Sequence, residues 1–245
     1  MQAANMWPFA RRAQVLCPTA PRRTLSRGMP ELLTGTVTFL FSDIEGSTRL
    51  PQSHGEAWSS ILARHQELLR TAFAAEGGVE VGTEGDSFFV TFPTASGSVA
   101  AAVAAQRAIG REPWPDDAYL RVRMGMHTGE ARFGTEDYVG LDVHRASRIT
   151  SVGHGGQILL SDTTRSLVGE ALPDGVELRD LGLHRLKDLD RPERLWQIVV
   201  VGAPNVGRPA RPGGSPLWHL VHVVDPRTSR SRERGASSRI DQRGS

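Results

Sequence analysis

The chain has 245 residues with 29 basic and 27 acidic side chains, room for one sizeable domain plus tails. The charge is unevenly spread. Residues 1–30 hold five arginines and no acid, residues 203–245 hold eight arginines against three acids, and residues 31–202 carry a net charge of −8. An acidic middle argues against a nucleic-acid-binding core, no apolar run reaches the length of a membrane span, and a lone cysteine, Cys17, rules out an internal disulfide. A reducing, cytoplasmic setting is the expectation.

Residues 1–30 are irregular, with prolines at 8, 18, 21 and 30, and are expected to be a disordered arm; Met29 stands just before the first strand-like run. Thr36-Val-Thr-Phe-Leu-Phe-Ser42 is β-branched and aromatic and reads as a buried strand. Asp43 stands where it runs out, followed by Ile44, Glu45, Gly46, Ser47 and Thr48. Ser and Thr favour helix N-caps and glycine lets backbone approach a ligand. An acid beside such a turn can hold a metal–phosphate unit, or can serve merely as a local cap. From 55 to 76, apolar residues recur at helical spacing, and Gly77-Gly78 ends that helix.

Val79-Glu-Val81 and Ser87–Phe92 read as two strands joined through Gly82-Thr-Glu-Gly-Asp86. If that hairpin lies beside the first strand, Asp86 comes near Asp43, a pair suited to two Mg²⁺ ions and in-line phosphoryl chemistry. The plainer reading of Gly85-Asp86 is a hairpin turn. An alanine-rich helix follows at 95–110, broken by Pro113-Trp-Pro115. Next come a long strand or hairpin at 120–133, a helix at about 139–152, a strand at 157–161, a short helix at 162–169, and strands near 176–186 and 194–201. The order βαββαβαβαββ implies an α+β fold with helices covering a mostly antiparallel sheet. Residues 203–245, rich in Arg, Pro, Gly and Ser, are expected to be a disordered tail.

On the helix near 139–152, His144 and Arg148 share a face, where the arginine can hold phosphate; an Asp142–Arg145 surface pair is the plainer alternative. Lys187 is the single lysine against 28 arginines.

Together these residues resemble the class III adenylate and guanylate cyclase catalytic domain over about 34–202. Phe41-Ser-Asp-Ile-Glu-Gly-Ser47 looks like the family's first metal motif and Gly85-Asp86-Ser-Phe-Phe89 like its second. The resemblance implies a ferredoxin-like palm in residues 31–202 and two Mg²⁺ or Mn²⁺ ions held by Asp43, Asp86 and the Ile44 carbonyl. It implies a nucleoside triphosphate bound by Asp137, Lys187, Gly46, Ser47 and Thr83. His144 and Arg148 act at the ribose and the α-phosphate, across a head-to-tail homodimer interface. The implied reaction turns ATP, and with it GTP, into the cyclic 3′,5′-monophosphate.

Two positions depart from the family pattern. Gly82 stands where a lysine usually reads the purine, and His144 where asparagine usually orients the ribose. A catalytically weak nucleotide-binding dimerisation module with a regulatory role is therefore the alternative. A GGDEF-type diguanylate cyclase fits poorly, because the paired glycines before the acidic residue are missing.

Overall fold

Side-chain alternation along the first strand sorts the whole molecule into layers. In the computed structural model, residues 32–200 are described apart from 116–117 and 135–136, and the expected arms at 1–30 and 203–245 lie outside them. Strand β1 (Thr36–Ile44) sends Leu40 and Ile44 to one face and Val37, Phe39 and Phe41 to the other, all almost fully buried. Because the period is two, a one-residue slip in register exchanges these sets, so the pattern fixes the strand's neighbours.

The sheet has seven strands: β2 (Val79–Glu84), β3 (Ser87–Phe92), β1, β4 (Val122–Glu130), β5 (Ile158–Ser161), β7 (Glu193–Val200) and β6 (Val176–His184), in that spatial order. Every pairing is antiparallel except β4 with β5. One face carries α2 (Ala57–Ala75) and α3 (Ala95–Arg111), whose Ile61, Leu69, Phe73, Val99 and Val103 pack with Leu40, Phe88, Phe92, Met124 and Met126. Each fully buried side chain of this size contributes about 1.5–3 kcal/mol. The other face carries α4 (Leu141–Val152), with Ala146 and Tyr138 against Val37, Phe39, Phe41 and Phe89. The rings of Phe41 and Phe89 stack at 4.3 Å. The short α5 (Asp162–Val168) is capped by Ser161, whose hydroxyl accepts the Thr164 N–H.

The expected order βαββαβαβαββ is observed, with differences at boundaries. The helix expected from 55 to 76 is α2, and a further short helix precedes it. A short α1 (Leu50–His54) has proline in its first turn, and Gly55, at φ 50°, separates it from α2. The segment 120–133 is one strand ending at Glu130, not a hairpin; Phe133 instead bridges back to Tyr138.

Helix α4 sits unusually close to β4. A Cβ at Gly125 would lie 2.3 Å from the Thr150 backbone nitrogen, and one at Gly129 would lie 2.4 Å from the Asp142 carboxyl carbon. Real Cβ contacts do not come that near, so these two glycines are what allow the helix to lie directly on the strand.

Candidate functional site

The antiparallel register of β1 with β3 and β4 brings Asp43, Asp86 and Arg123 to one end of the sheet. Ser42 pairs with Phe88 and Asp43 with Arg123, so the β2–β3 turn holding Asp86 lies beside the end of β1. The Ile44 N–H donates to Asp86 Oδ2 at 2.8 Å. Burial raises the Asp86 pKa above the ordinary carboxylate value. Hydrogen bonds from the Ile44 N–H and the Ser47 hydroxyl oppose that shift, and the charge of Asp43 adds to it.

Asp43 is gripped by Arg123, whose Nε and Nη2 lie 2.5 and 2.8 Å from its two carboxylate oxygens. Arg123 also donates to the Ser151 and Gly153 carbonyls at the end of α4. Glu45 pairs with Arg121 at 3.2 Å. Gly46 adopts a left-handed φ of 74°, with nothing within 4 Å of the place a Cβ would take. It precedes a single 3-10 turn (Ser47–Arg49) that has no side-chain cap: the Ser47 hydroxyl goes to Asp86 instead of the turn's amides.

These donors fit a hard divalent cation. Mg²⁺ and Mn²⁺ are held by one or two carboxylates and complete their shells with water and phosphate oxygens. Among the described residues no three acidic, histidine or cysteine side chains gather at a point, so an ion here depends on Asp43 and Asp86 plus ligand oxygens. A cation beside Asp86 would offset the burial that raises its pKa.

A second group is built on α4 and the β6–β7 connection. Arg148 Nη2 pairs with Asp188, the residue after Lys187, so the helix arginine and the lone lysine are brought to one place. Lys187 is exposed, as is His144. One turn earlier, Arg145 Nη1 pairs with Asp142 Oδ1 at 2.9 Å, and its Nε stands 3.0 Å from Glu193 Oε2 in an ion pair too bent for a hydrogen bond. Burial raises the Glu193 pKa, against the pull of Arg145. Buried His127 joins this group through Ser161 Oγ at 2.7 Å and Asp142 Oδ1 at 3.2 Å, and burial, with Arg145 nearby, lowers its pKa to about 4. The Asp142–Arg145 pair anticipated as the plain alternative is thus present alongside the Arg148 cluster.

The residues expected at the base lie elsewhere. Asp137 accepts the Tyr138 N–H at 2.7 Å, and burial raises its pKa. The Tyr138 hydroxyl donates to the Leu33 carbonyl, which puts Asp137 near the start of β1, at the opposite end from Asp43. Gly82 lies in β2 opposite Phe89. The Thr83 hydroxyl donates to Glu80 at 2.5 Å, and Glu80 is held by Arg70.

Arg123, Arg121, Glu193, Asp188 and His127 were not singled out in the sequence. The signal for Arg123 is there in outline: in Val122-Arg-Met-Gly-Met-His127 the alternation sets Arg123 on the face opposite Met124. Its pairing with Asp43 needs the β1–β4 register, which no local pattern supplies.

The family described as Adenylate and Guanylate cyclase catalytic domain matches residues 30–187. An uncharacterized protein of Mycobacterium tuberculosis is 40% identical over 167 residues, 67% of this chain and 56% of that protein. The chain thus spans about half the length of that relative. The adenylate cyclase of Podospora anserina is 30% identical over 220 residues, covering 67% of this chain and 10% of that protein. Among solved structures, a Trypanosoma brucei adenylate cyclase in its monomeric state superposes with a TM-score of 0.64 at 26% identity, over 71% of this chain and 93% of that one. The adenylyl cyclase CyaB of P. aeruginosa gives 0.59 at 28% identity, over 68% of this chain and 95% of that one. The chain belongs to the adenylate and guanylate cyclase catalytic domain family.

Proposed function

We propose that residues 31–202 form a nucleotidyl cyclase domain that converts ATP, and GTP less selectively than a dedicated enzyme would, to the cyclic 3′,5′-monophosphate. The 3′ oxygen of the ribose attacks the α-phosphorus, the bond from that phosphorus to the bridging oxygen breaks, and pyrophosphate leaves. The observation that carries this reading is the meeting of Asp43 and Asp86 at one strand end through the Ile44 N–H.

Asp43, Asp86 and the Ile44 carbonyl would hold divalent cations, which would supply the charge that lowers the pKa of the attacking hydroxyl and steadies the leaving group. Gly46, open on its Cβ side, lets the polyphosphate approach the backbone, with Ser47 beside it. Arg148 meets charge developing at the α-phosphate, and Lys187 holds the outer phosphates. His144 orients the ribose and Asp137 accepts a hydrogen bond from the base. The Thr83 hydroxyl donates its hydrogen bond to Glu80, so it does not replace the donor that Gly82 lacks, which supports weak base selection.

The site requires two copies of the chain. Asp137 adjoins Tyr138, whose hydroxyl reaches the Leu33 carbonyl ahead of β1, whereas Asp43 stands at the far end of that strand. A head-to-tail pair brings one copy's Asp137, His144, Arg148 and Lys187 to the other copy's carboxylates. Phe133, Val139 and Leu141 are 44%, 48% and 57% exposed around the entry to α4, an apolar surface that a second copy would cover. Among the described residues no helix is long and apolar enough to cross a membrane.

Turnover of ATP and of GTP, each with Mg²⁺ and with Mn²⁺, tests the proposal: cyclic product expected from both, and none at all would overturn it. Gly82 and the exposed His144 favour one second reading, a regulatory module that binds nucleotide without turning it over. Binding of a non-cyclisable analogue without product would select it.

A further inference from the structure

Asp188 holds a backbone conformation that glycine adopts freely and other residues rarely: its φ is 61°, the one positive value at a non-glycine among the described residues. Strain of this kind points to a side chain wanted for what it does. The Asp188 carboxylate is drawn onto Arg148, and its neighbour in sequence is Lys187. A negative charge thus sits on one of the two cations that the proposed function assigns to a polyphosphate, one residue along the chain from the other.

Two ion pairs tie the β6–β7 connection to α4, and they differ in exposure. Arg145 and Glu193 have side chains 24% and 17% exposed, an enclosed pair suited to fixing the connection in place. In the other pair Arg148 is 13% exposed and Asp188 is 58% exposed, so the arginine is held within the fold while its partner stands open to solvent. An exposed carboxylate can be exchanged at little cost. Carboxylate and phosphate also present the same kind of oxygen edge to a guanidinium.

We infer that Asp188 is a built-in competitor for the substrate. Its carboxylate occupies the place on Arg148 that a polyphosphate oxygen takes, and yields it when the nucleotide arrives. In the empty site this keeps Arg148 aimed. In the filled site Asp188 is the displaced ion. The inference rests on the cyclase reading for the substrate's identity but not for the exchange itself, which any polyphosphate would provoke.

The test uses inorganic tripolyphosphate as probe, titrated calorimetrically without divalent metal into the full chain. Asp188→Asn keeps a residue that tolerates the left-handed conformation and removes the charge, and Asp188→Gly serves as second variant if the first folds poorly. Tripolyphosphate is expected to bind about two- to fivefold more tightly to either variant, the range an exposed ion pair allows. The KM for ATP is expected to fall by a similar factor with little change in kcat. In an Arg148→Ala background the gain is expected to vanish. Unchanged or weaker binding overturns the exchange, as does a gain that persists without Arg148, since the charge then acts on Lys187 alone. No binding by wild type and variants also overturns it, whatever the turnover. Tighter binding by the variants without cyclic product leaves the exchange standing and removes the cyclase reading.

Discussion

Asp43 and Asp86 stand side by side, yet their surroundings ask opposite things of a neutral substitute. Asp86 is held above the usual carboxylate pKa chiefly by burial, so Asp86→Asn removes a charge the fold disfavours, and the melting temperature is expected to hold or rise. Asp43 is the bidentate partner of the partly buried Arg123. Asp43→Asn leaves that guanidinium short of its counter-charge, at an expected cost of about 1–3 kcal/mol in denaturant unfolding. Both variants are expected to lose turnover. Equal stability effects would show that Arg123 does not depend on Asp43. At Gly82 the wild-type domain is expected to separate ATP from GTP by less than about tenfold in kcat/KM, or roughly 1.4 kcal/mol, where buried polar readout rejects a wrong partner far more strongly. Gly82→Lys is expected to shift that ratio toward ATP, and a wild type already highly selective would assign base reading to another residue.

At the scale of elements, two histidines tie helices to the sheet while staying uncharged. His65 of α2 is fully buried against Phe88, neither ring nitrogen has a hydrogen-bond partner, and burial lowers its pKa to about 4. His127 of β4 holds α4 through Asp142, with its pKa likewise lowered to about 4. The unfolded chain protonates both near 6.5, the folded chain only near 4. The stability they allow is therefore whole above about pH 6.5 and falls as pH drops toward 4, by up to about 1.4 kcal/mol per pH unit for each. Asp86, Asp137 and Glu193, raised by burial, work in the opposite sense and gain stability as they protonate. Melting temperature is expected to decline between about pH 7 and about pH 5. His65→Leu is expected to raise it at neutral pH, by removing an unpartnered polar group, and to flatten the decline. An unaltered slope in that variant would mean that His65 does not titrate as its burial implies. The elements themselves were legible because their signals are local: alternation in β1 and β3, helical spacing in α2, glycine punctuation at Gly77. What was not legible depended on register. Arg123 reaches Asp43 only once β1 and β4 are aligned, and Glu193 and Asp188 meet Arg145 and Arg148 only once β7 has crossed beside β5. Sequence placed Asp43, Asp86 and Arg148 as candidates but gave no sign of the ions that hold them.

For the whole molecule, the proposed function implies that one chain carries two half-sites. Asp86→Asn chains and Arg148→Ala chains are each expected to be inactive alone. Mixed in equal amounts with subunit exchange confirmed, half the pairs carry one intact site and one with both lesions, so activity is expected to recover to roughly a quarter of wild type. No recovery would place all the chemistry within one chain. The close seating of α4 on Gly125 and Gly129 then has a mechanical consequence. At Gly125 the helix backbone lies against the strand and at Gly129 the Asp142 side chain does, so α4 has little room to slide or tilt on β4 and would carry Arg148 and His144 as one rigid piece with the sheet. If two copies form the site as proposed, opening and closing would then belong to the contact between copies, and a switch would act by turning one rigid body against the other.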